Sequence, residues 1–189
     1  MTLDQILQQC ARNTYNQKVM VRSEAGYTGK GLEYAARFLG FINEVSQKIA
    51  RERWAPSAEE TITLDEHGEF PYDALTQPLI RVQRVRLGRE EYPFETDDYG
   101  DTCVSDLSSV DVQVLYDYLP ATLTVSDLDT PLPFPETQIP PGVIYDYATF
   151  RFLYQEGTDY DTTRAQPFLN IFNDAYSKIM PTAFQRRVK

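Results

Sequence analysis

At 189 residues the chain is long enough for one domain with a sizeable core and too short for two ordinary ones. Its 42% hydrophobic and 24% charged residues exclude a disordered chain, and no apolar run approaches the ~18 residues of a membrane span. The net charge of −10 is uneven: residues 1–56 carry eight Lys and Arg against five Asp and Glu, residues 57–160 five against twenty-one, and residues 161–189 five against two. A protein that grips nucleic acid by neutralising phosphates needs a basic face, and the middle of this chain is the opposite.

The opening run MTLDQILQQCARN is polar and amphipathic, without the cationic flank and apolar stretch of a secretory signal. Cys10 and Cys103 are too few for a disulfide framework, so synthesis in a reducing cytoplasm is expected. Thr2 to about Asn13 is predicted to be a short helix, capped by Thr2, with Leu3, Ile6, Leu7 and Cys10 on one face. Thr14–Gly31, with glycines at 26, 29 and 31, is expected to be a loop. A long helix should follow over Leu32–Trp54, where Leu32, Ala35, Ala36, Leu39, Ile42, Val45 and Ile49 make one stripe; Ala55-Pro56 ends it.

The hydrophobic period then changes from about 3.6 to 2. Thr61–Glu66 alternates, His67-Gly68 makes a turn, and the chain resumes extended. Ile80–Gly88 alternates and shifts phase at Arg84-Val85, the mark of a bulge, and Arg89–Glu95 is read as its hairpin return. Asp111–Pro120 is a further strand with Val112, Val114 and Tyr116 on one face, completing one small antiparallel sheet. Five prolines between Ser126 and Gly142 make an extended connector. Val143–Glu156 is a helix with aromatics on more than one face, either central to the core or shared with a neighbouring subunit; Gly157 stops it. Asp161–Met180 shows the clearest stripe, Ala165, Phe168, Leu169, Phe172, Ala175, Tyr176 and Ile179, with Pro167 either kinking the helix or marking its first turn.

The expected fold is therefore α+β and mainly α. In a single domain over 1–189, segments 1–56 and 142–180 form an antiparallel helix bundle, 57–125 a β-rich acidic insert, 126–141 the connector and 181–189 a loose tail.

Chemistry-bearing motifs are weak. His67 is the only histidine and sits in a turn composition, which removes multi-histidine metal sites. The run Gly26–Gly31 fails as a phosphate loop because Glu24 and Gly31 stand where Gly and Ser or Thr are required. In Asp127–Pro131, Pro131 replaces the Thr or Val of an aspartate-nucleophile phosphatase motif. Asp97, Asp98, Asp101 and Asp106 cluster around Tyr99-Gly100 without the spacing of a calcium loop, which favours a solvated acidic loop. No catalytic residue, metal or cofactor is expected. A carboxylate-dependent hydrolase using Asp97, Asp98, Asp127 and Asp129, and a protein-binding module that forms no ring, are the alternatives.

In element order the chain resembles the head-to-tail connector, or adaptor, family of tailed bacteriophages, in particular the tail tubular protein A type. The resemblance rests on a short first helix, a long helix closing on Arg53-Trp54, the strand Glu60–Leu64, a variable β segment, the valine-rich strand Asp111–Tyr118, a proline linker, the aromatic helix Val143–Glu156 and a last long helix. It departs in the length of the connector Thr130–Pro141 and in the loop Thr14–Gly31. The resemblance implies a non-enzymatic virion subunit of a twelve-fold ring that docks on the portal and leads toward a tail or nozzle protein. DNA would be only in transient passage, and no membrane would be involved. Phe184, Arg186, Arg187 and Lys189 are then expected to contact the portal or a neighbour, and Asp97, Asp98 and Asp101 to face the channel or a loop.

Overall fold

The computed structural model describes residues 1–156 and 159–180. The chain divides into two compact units, one formed by Met1–Ile49 with Ala121–Met180 and the other by Ala50–Pro120.

In the first unit, α1 (Leu3–Asn13) starts as its sequence dictates: Thr2 Oγ1 accepts the Gln5 N–H at 3.4 Å and Gln5 Oε1 accepts the Thr2 N–H at 2.9 Å. The remaining first-turn donors find carbonyls in the connector, Leu3 N on Thr130 O at 3.0 Å and Asp4 N on Leu128 O at 2.9 Å. The start of the connector is thus fixed on α1 through the carbonyls of Leu128 and Thr130, just ahead of its first proline. Helix α2 (Gly29–Glu52) begins a turn earlier than its apolar stripe, with Leu32 N closing on Thr28 O at 3.3 Å. A Cβ on Gly31 would lie 2.6 Å from the Val19 carbonyl oxygen, so only glycine admits this close approach. Helix α3 (Pro141–Glu156) opens on a proline at its first position, and α4 (Asp159–Lys178) carries Pro167 inside it rather than in its first turn.

The aromatic helix α3 is central to this unit. It packs along both α1 and α4, and Phe152 stacks on Phe38 of α2 with ring centroids 4.3 Å apart. Tyr34 meets the edge of Phe152 at 5.3 Å, and the Arg37 guanidinium lies 4.4 Å over the same ring. Tyr147 and Arg151 both donate to Glu44 Oε1, at 2.6 and 2.5 Å.

The second unit contains seven strands in two antiparallel sheets: β1 (Ser57–Thr63), β2 (Glu69–Phe70), β3 (Leu79–Leu87), β4 (Glu90–Tyr92), β5 (Phe94–Thr96), β6 (Thr102–Val104) and β7 (Asp111–Tyr118). The order is β1-β7-β3-β4 in one sheet and β2-β6-β5 in the other. Register places Ile62, Val112, Val114, Tyr116, Val82 and Val85 on one face of the larger sheet, where they share a core with Phe70 and Val104 of the smaller one. The chain passes from β4 to β5 through Pro93 alone, so it changes sheets at a single residue.

These findings overturn the expected bundle with a small sheet inserted. The architecture is α+β, but the middle of the chain is a two-sheet structure with its own hydrophobic core, beside four α-helices among the described residues. Two physical reasons separate it from the expectation. Strands β2, β5 and β6 are two or three residues long, too short to show a period of two, yet they pair into a second layer. In the helical part, α2 meets α3 through large rings rather than along a tight seam of small and aliphatic residues. Details differ as well. Strand β1 begins at Ser57, and β3 has two register shifts, between Leu79 and Arg81 and between Val82 and Arg84, instead of one at Arg84-Val85.

Candidate functional site

The β5–β6 hairpin gathers three of the acidic residues singled out from the sequence. Asp97 Oδ1 accepts the N–H groups of Tyr99 at 2.8 Å and Asp101 at 3.0 Å, while Asp97 N donates to Asp101 O at 3.0 Å. Gly100 N closes the turn on Asp97 O at 3.1 Å with φ of +93°, a conformation glycine adopts without strain. Asp101 Oδ1 accepts Tyr72 N at 3.2 Å, tying the loop to the short 3-10 turn Tyr72–Ala74. Two of the three carboxylates are therefore parts of the scaffold, and Asp98 lines the neighbouring depression. Asp106 stands apart, beyond β6.

This scaffold holds Tyr99 83% exposed and Tyr72 54% exposed at the rim of a shallow depression of about 230 Å³, floored by Leu79 and Ile80. Sequence reading missed the tyrosines. Tyr99 was legible only as part of an Asp-x-Tyr-Gly turn, and Tyr72 lies 27 residues away with no local signal linking the two.

Leu79 and Ile80 open β3, and the far end of that strand carries the opposite charge. Arg84 pairs with Leu115 and Arg86 with Gln113, so both arginines stand on the outer face of the larger sheet. Arg84 Nε and Arg86 Nη2 share one carboxylate, Glu91, at 3.3 and 3.2 Å. The Arg86 Nε is enclosed without a hydrogen-bond partner among the described residues. Arg89 follows in the β3–β4 turn.

Other carboxylates of this unit hold it together. Asp117 is fully buried; Arg81 Nε and Nη2 both reach its Oδ2 at 2.7 Å, Ser57 Oγ donates to Oδ1 at 2.8 Å, and Gln83 donates as well. Burial works to raise the Glu60 carboxyl, but hydrogen bonds from Tyr116 and from the N–H and hydroxyl of Thr76 outweigh it and hold it below the usual range. Burial and the Glu60 carboxylate together push the Tyr116 hydroxyl up to about 12. Asp65 accepts the N–H groups of Glu69 and His67, both at 2.8 Å, and is held below its usual range by the first of these above all. His67 is an exposed turn residue 3.5 Å from Glu66.

In the helical unit, Asp127 and Asp129 are likewise structural. Asp127 Oδ2 accepts the hydroxyl and N–H of Thr124, both at 2.7 Å, and Arg22 grips Asp129 through two bonds of 2.9 Å. The glycine-rich run places Tyr27 to donate to Asp4 Oδ1 at 2.6 Å and accept from Gln8 Nε2 at 2.8 Å, anchoring the loop on α1. Cys10 is buried, which pushes its thiol up to about 12, whereas Cys103 is exposed on β6 between Glu69 and Glu95 in the register.

Among the described residues no group of three or more His, Cys, Asp or Glu is placed to hold a metal ion, and no helix is long and apolar enough to cross a membrane. Phe184, Arg186, Arg187 and Lys189 lie outside the described residues. Compared with known proteins, the chain matches no family model and no curated protein.

Proposed function

We propose that this chain is a structural virion subunit of a tailed-phage neck, an adaptor that docks on the portal as one member of a ring and continues the DNA channel toward the tail or nozzle protein. The observation that carries this reading is the segregation of charge onto the β unit. Ala50–Pro120 holds sixteen Asp and Glu against six Lys and Arg, a net charge equal to that of the whole chain. Its loop carboxylates are fixed by backbone N–H groups, which leaves their negative charge unneutralised. A wall of this kind repels phosphate and lets DNA move past without adhering. Of the four carboxylates a hydrolase would use, Asp97 and Asp127 are engaged in turns and Asp129 in an arginine pair, leaving Asp98 without an acidic partner placed for catalysis, which favours the structural role over the hydrolytic one.

Electron microscopy of the chain mixed with the portal of the same phage tests the assignment. The expected image is a second ring stacked on the portal; a portal that stays bare at saturating chain concentration rejects it. Duplex DNA should show no measurable affinity for the free chain at physiological salt.

A further inference from the structure

The two ends of β3 carry patches that fit each other but lie roughly 20 Å apart along the strand, so they cannot meet within one copy. At the first end, Tyr72 and Tyr99 line a mainly polar depression together with Leu79, Ile80, Asp97 and Asp98. At the second end, Arg84 and Arg86, with side chains 39% and 35% exposed, share a single carboxylate, and Leu87 is 37% exposed.

We infer that the tyrosine-and-aspartate end of β3 in one copy receives the arginine end of β3 in a second copy. Guanidinium groups stack on tyrosine faces and pair with carboxylates, and each arginine brings more donors than Glu91 alone accepts. The backbone that carries the tyrosines is fixed by Asp97 and Asp101, so the contact has to order their side chains but not the loop. Two different patches meeting head to tail make a heterologous contact, which propagates into a closed ring or an open filament. The partner is thus a second copy of this chain, and the contact, resting on the adaptor reading above, names the surface through which such a ring closes.

Sedimentation velocity on the full chain at about 1 mM, alone and on the portal, tests this with two variants. One combines Tyr99→Ala with Asp98→Lys, and the other combines Arg84→Glu with Arg86→Glu; equal melting temperatures, and an Arg86→Lys variant that keeps its charge, guard against a folding defect. Wild type should self-associate, more weakly as salt rises. Each double variant should associate at least about tenfold more weakly. Each still has one intact end, so an equal mixture of the two should form pairs that do not grow. Association untouched by both variants overturns the contact, as does a mixture no better than either variant alone, or a wild type that stays monomeric in solution and on the portal. Portal rings that incorporate both variants as readily as wild type also overturn it while leaving the adaptor role standing. A portal that captures nothing removes the adaptor role, while self-association in solution still judges the contact.

Discussion

In the helical unit Asp4, Glu44 and Asp129 each sit against an arginine, at 3.5, 2.5 and 2.9 Å, whereas in the β unit Asp65, Asp97 and Asp101 take backbone N–H groups. The difference has an electrostatic consequence. An arginine cancels the charge it binds; an N–H group only disperses it. Met1–Ile49 with Ala121–Met180 carries twelve Asp and Glu against nine Lys and Arg, while Ala50–Pro120 carries sixteen against six. The β unit thus gains rigid turns and retains its negative surface. Glu91 and Asp117 do have arginines, Glu91 at the surface and Asp117 as the exception that is fully buried.

That exception supplies the largest expected effects. Asp117→Ala removes the partner of Arg81 together with acceptors for Ser57 and Gln83, and should cost about 3–5 kcal/mol in denaturant unfolding. In the helical unit, Phe152→Ala empties the stack on Phe38 and should cost about as much, 3–5 kcal/mol, through lost contacts and a cavity. An Asp117→Ala protein within 1 kcal/mol of wild type would show that the Arg81 pair is incidental, and the contrast between the units would lose its strongest element.

Asp146 sharpens the comparison differently, because it lies in the helical unit and forms no ion pair with an arginine among the described residues. It is 8% exposed on α3, near the buried Cys10, and burial raises its carboxyl from 3.8 to about 6. A folded-state value above the unfolded one means that the stability it allows is fully present below about pH 3.8 and is lost as pH rises through about 6. Asp146→Asn should therefore stabilise the protein by about 1–2 kcal/mol at pH 8 and leave it unchanged near pH 3.5. Paired thermal melts at the two pH values decide it, and a variant gain that is equal at both would rule out ionisation as the cause.

How far the fold could be read from sequence follows the length of each element. Thr2–Asn13 emerges at almost its full extent because a capping residue and four apolar positions all point the same way. The strand Asp111–Tyr118 buries Val112, Val114 and Tyr116 as alternation requires. On α4, Ala165, Phe172 and Tyr176 are buried, as is Ile179 just past its end, while Phe168, Leu169 and Ala175 are half-buried. What escaped is non-local. The second sheet is assembled from pieces too short to repeat the hydrophobic period, and Arg22 finds Asp129 across 107 residues. The acidic cluster was visible as composition, but the bonds from Asp97 and Asp101 to backbone N–H groups, which turn it into a platform for two tyrosines, depend on a hairpin whose strands have three residues each.

The smallest effect concerns that platform. Asp97→Ala removes an acceptor shared by the Tyr99 and Asp101 amides, in a loop that contributes little to the core, so global stability should barely move. Local order should fall instead. Hydrogen exchange at those two amides is expected to quicken sharply in the variant and to stay slow in Asp98→Ala, whose carboxylate has no part in the turn. If the wild-type amides already exchange at the rate of an unstructured peptide, Asp97 does not organise the loop. The backbone that carries Tyr99 would then be unordered, and the position from which it could meet an arginine face would no longer follow.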